Sequence, residues 1–316
     1  MLLGLPLLTS VAALPAAAET QSSVNLDPAI PPGLFAGART QQILAAQILL
    51  DRAHHSPGVI DGAAGGNTRR SVLAYQKANG LDPTGEVGSA LLQRLSANDA
   101  GALLKTYTVT EADVAGPFHS VPEGLTAMAE LDAVTYESAA EALAEKFHMA
   151  RSFFEALNPG ADFAKAGTRI VIADAGADKL GDAVVDIEVD KDANELRAYA
   201  AGKRLVATYP TTVGSSFHPS PDTTVEVTAI ASNPTYHFDP EGRDWGPDET
   251  LTIAAGPNNP VGSTWIDLSR EGYGIHGTPE PRLIGKTSSH GCVRLTNWDA
   301  AELARAVERG AKVHFI

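Results

Sequence analysis

Ser288-Ser289-His290-Gly291-Cys292-Val293-Arg294-Leu295 holds the only cysteine of a 316-residue chain. The thiol lies in a turn of small polar residues, with His290 two positions before it and Arg294 two after. Upstream, Ile275-His276-Gly277-Thr278 sets a second histidine beside a glycine. Thiolate, not thiol, is the nucleophile, and a histidine within reach can take the proton, so this pattern reads as an activated cysteine. Two histidines compete for the role. His290 is near in sequence without necessarily converging on the sulfur. His276 is far enough away for a strand, a loop and a return.

Around this turn the chain has strand texture from Asp182 onward. Val184 to Val189 alternates, Leu196 to Tyr199 and Arg204 to Tyr209 flank Ala200-Ala201-Gly202-Lys203 as a hairpin, and Val225 to Ile230 alternates again. One helix is expected after the cysteine, from Trp298 to Glu308, with Asn297 as N-cap and Gly310 at C′.

The pair Ile-His-Gly-Thr and Ser-Ser-His-Gly-Cys-Val-Arg-Leu resembles the L,D-transpeptidase catalytic domain of the YkuD type. Supporting stretches are Thr212-Val213-Gly214, His218 to Thr223, Asn233 to Tyr236 and Gly256 to Gly262. The resemblance covers 182–316 and implies a mainly-β catalytic sandwich. It implies that Cys292 is the nucleophile and His276 the base, with the Gly277 carbonyl orienting the histidine. It also implies an oxyanion hole from the backbone N–H groups of Gly291 and Cys292, lined by His290. Arg294 has two readings: a fork for a substrate carboxylate, or a lock between the turn and a nearby acid. Ser289 reads as a turn residue or supporting donor. Tyr236, Trp245 and Trp265 are expected as groove walls, with core packing for at least one of them.

Two blocks precede this domain. Residues 38–96 carry a helix with Ile43, Leu44, Gln47, Ile48 and Leu50 on one face, then Gly58-Val59-Ile60-Asp61-Gly62. A second helix follows Asn67-Thr68 as N-cap, and a short third runs from Ser89 to Leu95. This order resembles the small three-helix peptidoglycan-binding domain. Residues 105–175 read as strand, two helices (Ser138 to Phe147, Ala150 to Leu157) and a closing strand after Asn158-Pro159-Gly160. They resemble a small α/β LysM-type module, departing from it in a Pro- and Gly-punctuated insertion around Pro117 and Pro122. The fold expected is therefore multidomain α+β.

Composition is globular, 44% hydrophobic and 20% charged, with net charge −14 from 38 acidic and 24 basic residues. Nucleic acid and anionic membrane surface would favour a clustered basic patch, so neither is expected as a partner. Residues 1–18 read as a signal peptide ending at Ala16-Ala17-Ala18, without a positively charged n-region, and 19–37 as a Pro-rich linker. The expected location is the periplasm, where structural cysteines come in pairs and a single one is free to react. His218, His237, His276 and His290 show no zinc-ligand spacing, so no metal and no cofactor is expected. The resemblance implies peptidoglycan stem peptides and glycan as partners. The acyl acceptor is left open between a second stem peptide, a protein, a D-amino acid and water, the last making an L,D-carboxypeptidase. The contrasting reading is an inert wall-binding protein.

Overall fold

The computed structural model describes residues 30–35, 39–97, 99, 101–177 and 179–316. The expected signal peptide and most of the linker lie outside them. None of the described helices is long and apolar enough to cross a membrane.

The first block forms α1 (Gln41–Arg52), α2 (Gly66–Ala78) and α3 (Ser89–Ser96). Thr40 caps α1 by accepting from the Ile43 amide. Gln47, on the buried face of α1, is a polar staple. Its carbonyl oxygen accepts from the amides of Asp61 and Gly62, and its amide donates to Asp61 and Thr68. This satisfies a turn in which Gly62 has φ +68°, a value that glycine takes at no steric cost. The expected cap of α2 is corrected. Gly65 is the N-cap, and Asn67 and Thr68 lie inside the first turn. Their side chains are occupied elsewhere, Asn67 donating to the Ile284 carbonyl in the C-terminal third of the chain and Thr68 accepting from Gln47.

The second block runs β1 (Leu104–Thr108), α4 (Leu125–Met128), α5 (Ala139–Lys146), α6 (Arg151–Leu157) and β2 (Arg169–Ala173), with β1 and β2 antiparallel. Ser138 caps α5. The two blocks, read from sequence as separate modules, share one apolar core. Leu44, Ile48 and Leu50 of α1 pack with Leu143, Phe153, Phe154 and Ile170. Ile60 bridges to Met149 through backbone hydrogen bonds to His148 and Ala150.

The third block holds β3 (Val184–Asp190), β4 (Glu195–Ala200), β5 (Arg204–Pro210), β6 (Thr224–Ser232), β7 (Tyr236–Phe238), β8 (Leu251–Ile253), β9 (Thr264–Leu268), β10 (Gly274–His276), β11 (Val293–Arg294), α7 (Asn297–Ala306) and β12 (Val307–Phe315). Instead of two separate leaves, eight strands make one continuous sheet, ordered β11-β10-β9-β6-β12-β3-β4-β5, and β7-β8 form a separate hairpin. β6 pairs with β12 near its start and with β9 from Val227 onward, with a register shift between Val227 and Ala229. Such a bulge bends a strand, letting one sheet enclose a core of Ile187, Val189, Leu196, Ile266, Ile275 and Val293 under α7.

The last helix also differs from expectation. Thr296 is its N-cap, accepting from the Asp299 amide. It stops at Ala306 because the chain passes directly into β12, and Gly310 lies within that strand.

Candidate active site

β10 and β11 run parallel, with Ile275 opposite Val293 and His276 opposite Arg294. Side chains alternate along a strand, so Cys292, two residues before Arg294, falls on the face that carries Arg294 and His276. All three line a cavity of about 460 Å³ with Tyr236, Arg243, Trp245, Trp265 and His290. Leu125, from the insertion of the second block, closes another wall. The parallel pairing supplies the return that the sequence spacing required.

His276 is 3% exposed. Its Nδ1 lies 2.6 Å from the Gly277 carbonyl oxygen. A carbonyl only accepts, so Nδ1 carries the proton and Nε2 keeps its lone pair. The ring stacks on Trp265 at a centroid distance of 5.5 Å. Burial first, and the Arg294 charge second, push the imidazole down to about 3, while the carbonyls of Gly277 and Val261 pull the other way. Burial pushes the Cys292 thiol up, against the Gly274 amide and the charges of Arg294 and Arg243. Both shifts favour the neutral forms. Thiol and imidazole are thereby favoured over a thiolate–imidazolium pair. At rest, Cys292 Sγ lies 3.6 Å from the Gly272 carbonyl oxygen, its hydrogen-bond acceptor.

Ser289 and Gly291 build the turn. Ser289 donates through Oγ to the Cys292 carbonyl at 2.6 Å and accepts from the Gly291 amide at 3.1 Å. The Gly291 N–H, expected to face an oxyanion, is thus engaged inside the turn in this state. Ser220 ties the Gly291 carbonyl at 2.7 Å. Gly291 has φ +115°, and a Cβ there would lie 2.8 Å from the Tyr273 ring, so only glycine fits. His290 is on the cavity rim, stacked on Trp245 at 4.0 Å.

Arg294 has no carboxylate partner among the described residues, and its Nε is buried without a hydrogen bond. Burial pulls the guanidinium down. This removes the reading as a lock to a nearby acid and leaves the fork facing the cavity. Tyr236 is pushed up by burial. His218 pairs with Asp244 and His237 bonds Thr235 and Thr252. Among the described residues no group of His, Cys, Asp and Glu is arranged to hold a metal ion.

Sequence reasoning missed three features. Arg243 reaches the cavity from the β7–β8 loop, its guanidinium 5.2 Å from the centre of the Trp245 ring; an arginine beside a tryptophan in a Gly-rich loop was the available signal. Leu125 had no signal, since it arrives from another block. Asn297, read only as a cap, is a four-bond hub. Its Oδ1 accepts from the amides of Ser263 and Thr278, and its Nδ2 donates to Glu145 and the Pro257 carbonyl.

The family of L,D-transpeptidase catalytic domains, YkuD, matches residues 185–315, and the peptidoglycan binding domain family matches residues 39–95. The Bacillus licheniformis protein YkuD, described as an L,D-transpeptidase, is 32% identical over 175 residues, 55% of this chain and 90% of that protein. The chain belongs to the L,D-transpeptidase family. This L,D-transpeptidase is also 31% identical to Escherichia coli K12 YbiS, likewise described, over 205 residues, 62% of each chain. An L,D-transpeptidase structure from Mycobacterium smegmatis aligns over 49% of this chain and 76% of that one at 18% identity, with a TM-score of 0.36, too loose to add to the assignment. Membership makes this protein an acyltransferase with an N-terminal peptidoglycan-binding domain, and sets aside the inert reading.

Proposed function

We propose that this L,D-transpeptidase is exported and acts on peptidoglycan stem peptides through a thioacyl-enzyme at Cys292. The observation that carries the reading is the shared face of β10 and β11: Cys292, an imidazole whose Nδ1 is held by the Gly277 carbonyl, and an Arg294 with no acid partner among the described residues converge on one cavity.

Cys292 Sγ attacks the carbonyl between the diamino acid, meso-diaminopimelate, and the terminal D-alanine of a tetrapeptide. The thiol proton passes to His276 Nε2. The C–N bond then breaks, D-alanine leaves as an amine carrying that proton, and a thioester remains. An acceptor amine attacks the thioester and gives its proton to His276; the new amide forms and the thiolate leaves and is reprotonated. Acceptors of fitting chemistry are the side-chain amine of a second stem or an amine of a wall protein. The Cys292 amide serves the oxyanion, a donor worth about 2.7–4 kcal/mol of barrier in acyl transfer. Arg294 takes a carboxylate of the donor stem as a bidentate pair.

The three-helix domain holds the enzyme on the wall. The second block, which on its sequence resembles a LysM-type module, adds contact with glycan in this reading. Incubation with purified disaccharide-tetrapeptide tests the chemistry. The enzyme should release D-alanine and form crosslinked dimer, and Cys292→Ala should do neither. D-Alanine release that survives Cys292→Ala would overturn the mechanism.

A further inference from the structure

The second block does more than space the catalytic domain from the wall-binding helices. We propose that Glu145, on α5, is a positioning residue for the catalytic base: through Asn297 it fixes the turn at Gly277 and Thr278 that orients His276. The inference rests on the reading of His276 as base.

Asn297 is the joint. A side-chain amide has two N–H donors and one oxygen with two lone pairs, and here all four are used. The oxygen accepts from the amides of Thr278 and Ser263, each at 3.1 Å. The nitrogen donates to Glu145 Oε1 at 3.0 Å and to the Pro257 carbonyl at 3.1 Å. Thr278 directly follows Gly277, whose carbonyl oxygen is 2.6 Å from His276 Nδ1. The fit leaves no slack, since a Cβ on Gly277 or on Gly262 would lie 2.1 Å from Asn297 Oδ1.

Glu145 fixes which way that amide points and how strongly it accepts. Its carboxylate demands the NH₂ side of Asn297, leaving the oxygen toward the catalytic turn. A hydrogen bond to an ionised acceptor is about twice as strong as a neutral one, and it polarises the next bond in the chain. Glu145 is itself held, because Tyr136 donates to the same Oε1 at 2.6 Å. A second route runs beside the first. Asn258 donates to Glu141 and to the Thr135 carbonyl, and its amide donates to the Val134 carbonyl. The segment that leads to Pro260 and Val261 of the cavity wall thus also rests on the second block. Glu145 lies outside residues 185–315 that the catalytic-domain family covers, so a catalytic domain alone would lack this partner.

The titratable groups facing Glu145 are Tyr136 from the insertion, Glu141 from its own helix and His148 from the α5–α6 turn. Burial pushes Glu145 up to about 7; Glu141 adds to the rise, while Tyr136, Asn297 and His148 oppose it. Above that value the carboxylate is charged and grips Asn297 more firmly.

The full chain tests this with Glu145→Ala and Glu145→Gln. Glu145→Ala should lower kcat for D-alanine release roughly 10-fold with KM for the tetrapeptide within twofold of wild type. It should also move the Nδ1–H proton resonance of His276. Glu145→Gln keeps an acceptor oxygen for Asn297 and should recover at least half of the rate. The wild-type rate should rise as pH passes about 7, and the Glu145→Gln rate should lack that step. Unchanged kcat with an unmoved resonance in Glu145→Ala overturns the inference. So does an equal loss in Glu145→Gln. If Glu145→Ala does not fold, Tyr136→Phe should give a smaller loss of the same kind, and its absence overturns the inference too. A wild-type enzyme that releases no D-alanine would instead sink the thioacyl mechanism, and the His276 resonance would then decide this inference alone.

Discussion

Two arginines show how differently the interdomain seam and the catalytic cavity treat a buried charge. Arg52, at the end of α1, pairs with Asp99 and Asp174, each at 2.9 Å, and donates to the Ala102 carbonyl. Arg294, in the cavity, has no acid partner among the described residues. The same contrast runs through the neighbouring groups. In the seam, His148 meets Asp51, His54 meets Glu302, and Ser56 donates to Asp299. In the cavity, burial pushes His276 down and the Cys292 thiol up, and the charges beside them are those of Arg294 and Arg243 rather than of an acid. Burial with a partner holds domains together. Burial without one leaves groups that a substrate can complete.

The sharpest way to break the contrast is at the base. His276→Gln keeps a side chain able to donate to the Gly277 carbonyl but cannot take a proton. A positioned general base contributes about 10²–10⁴-fold, so D-alanine release should fall into that range while Cys292 remains alkylatable. The neutral resting pair makes a second demand. Alkylation of Cys292 by iodoacetamide should climb with pH through the alkaline range, with no plateau near neutrality. A rate already flat at pH 6 would reveal a thiolate–imidazolium pair and contradict the burial argument.

Arg294→Met comes next. Removing one member of a buried ion pair costs about 3–5 kcal/mol, because the other charge is stranded. Arg294 strands nothing when removed, so its loss should leave the thermal midpoint unchanged or raised while KM for the tetrapeptide rises roughly tenfold or more, the range of a lost charged hydrogen bond. Arg52→Met, which takes the ion pair from Asp99 and leaves Asp174 with Lys105 alone, should lower the midpoint and leave KM alone. Opposite outcomes for the two arginines would invert the comparison.

The cavity's chemistry was legible in sequence because it lies in one short stretch and one upstream turn. Cys292, His276 and Gly277 were singled out there, and the β10–β11 register brings Cys292 and His276 to one cavity, a convergence that spacing alone could not give. The seam was not legible. Asn297 follows Thr296 and looks like any helix cap, and only the tertiary fold shows that Thr296 does the capping and Asn297 reaches Glu145. Glu145 and Leu125 both belong to the second block, which no local pattern ties to the catalytic turn. The helix-to-strand junction at Ala306 was misplaced for a related reason: helix periodicity runs through Val307, and pairing with β3 and β6 decides against it.

The smallest expected effect lies in the seam. Asp299 is buried, and burial first and Asp51 second push its carboxyl well above the usual range, against the pull of Thr296 and Ser56. The folded state therefore holds this proton more tightly than the unfolded chain, whose value is about 4. The resulting stability is fully present below that value and is lost as pH rises toward the folded one. Asp299→Asn keeps an oxygen for the Ser56 hydroxyl and never ionises. Its thermal midpoint should match wild type at pH 4 and exceed it at pH 8 by roughly 2–4 °C for each kcal/mol of penalty removed. A midpoint that instead drops at pH 8 would mean that Asp299 is ionised and matched in the native seam. Charge pairing would then extend to every acid there, and the difference between seam and cavity would be wider still.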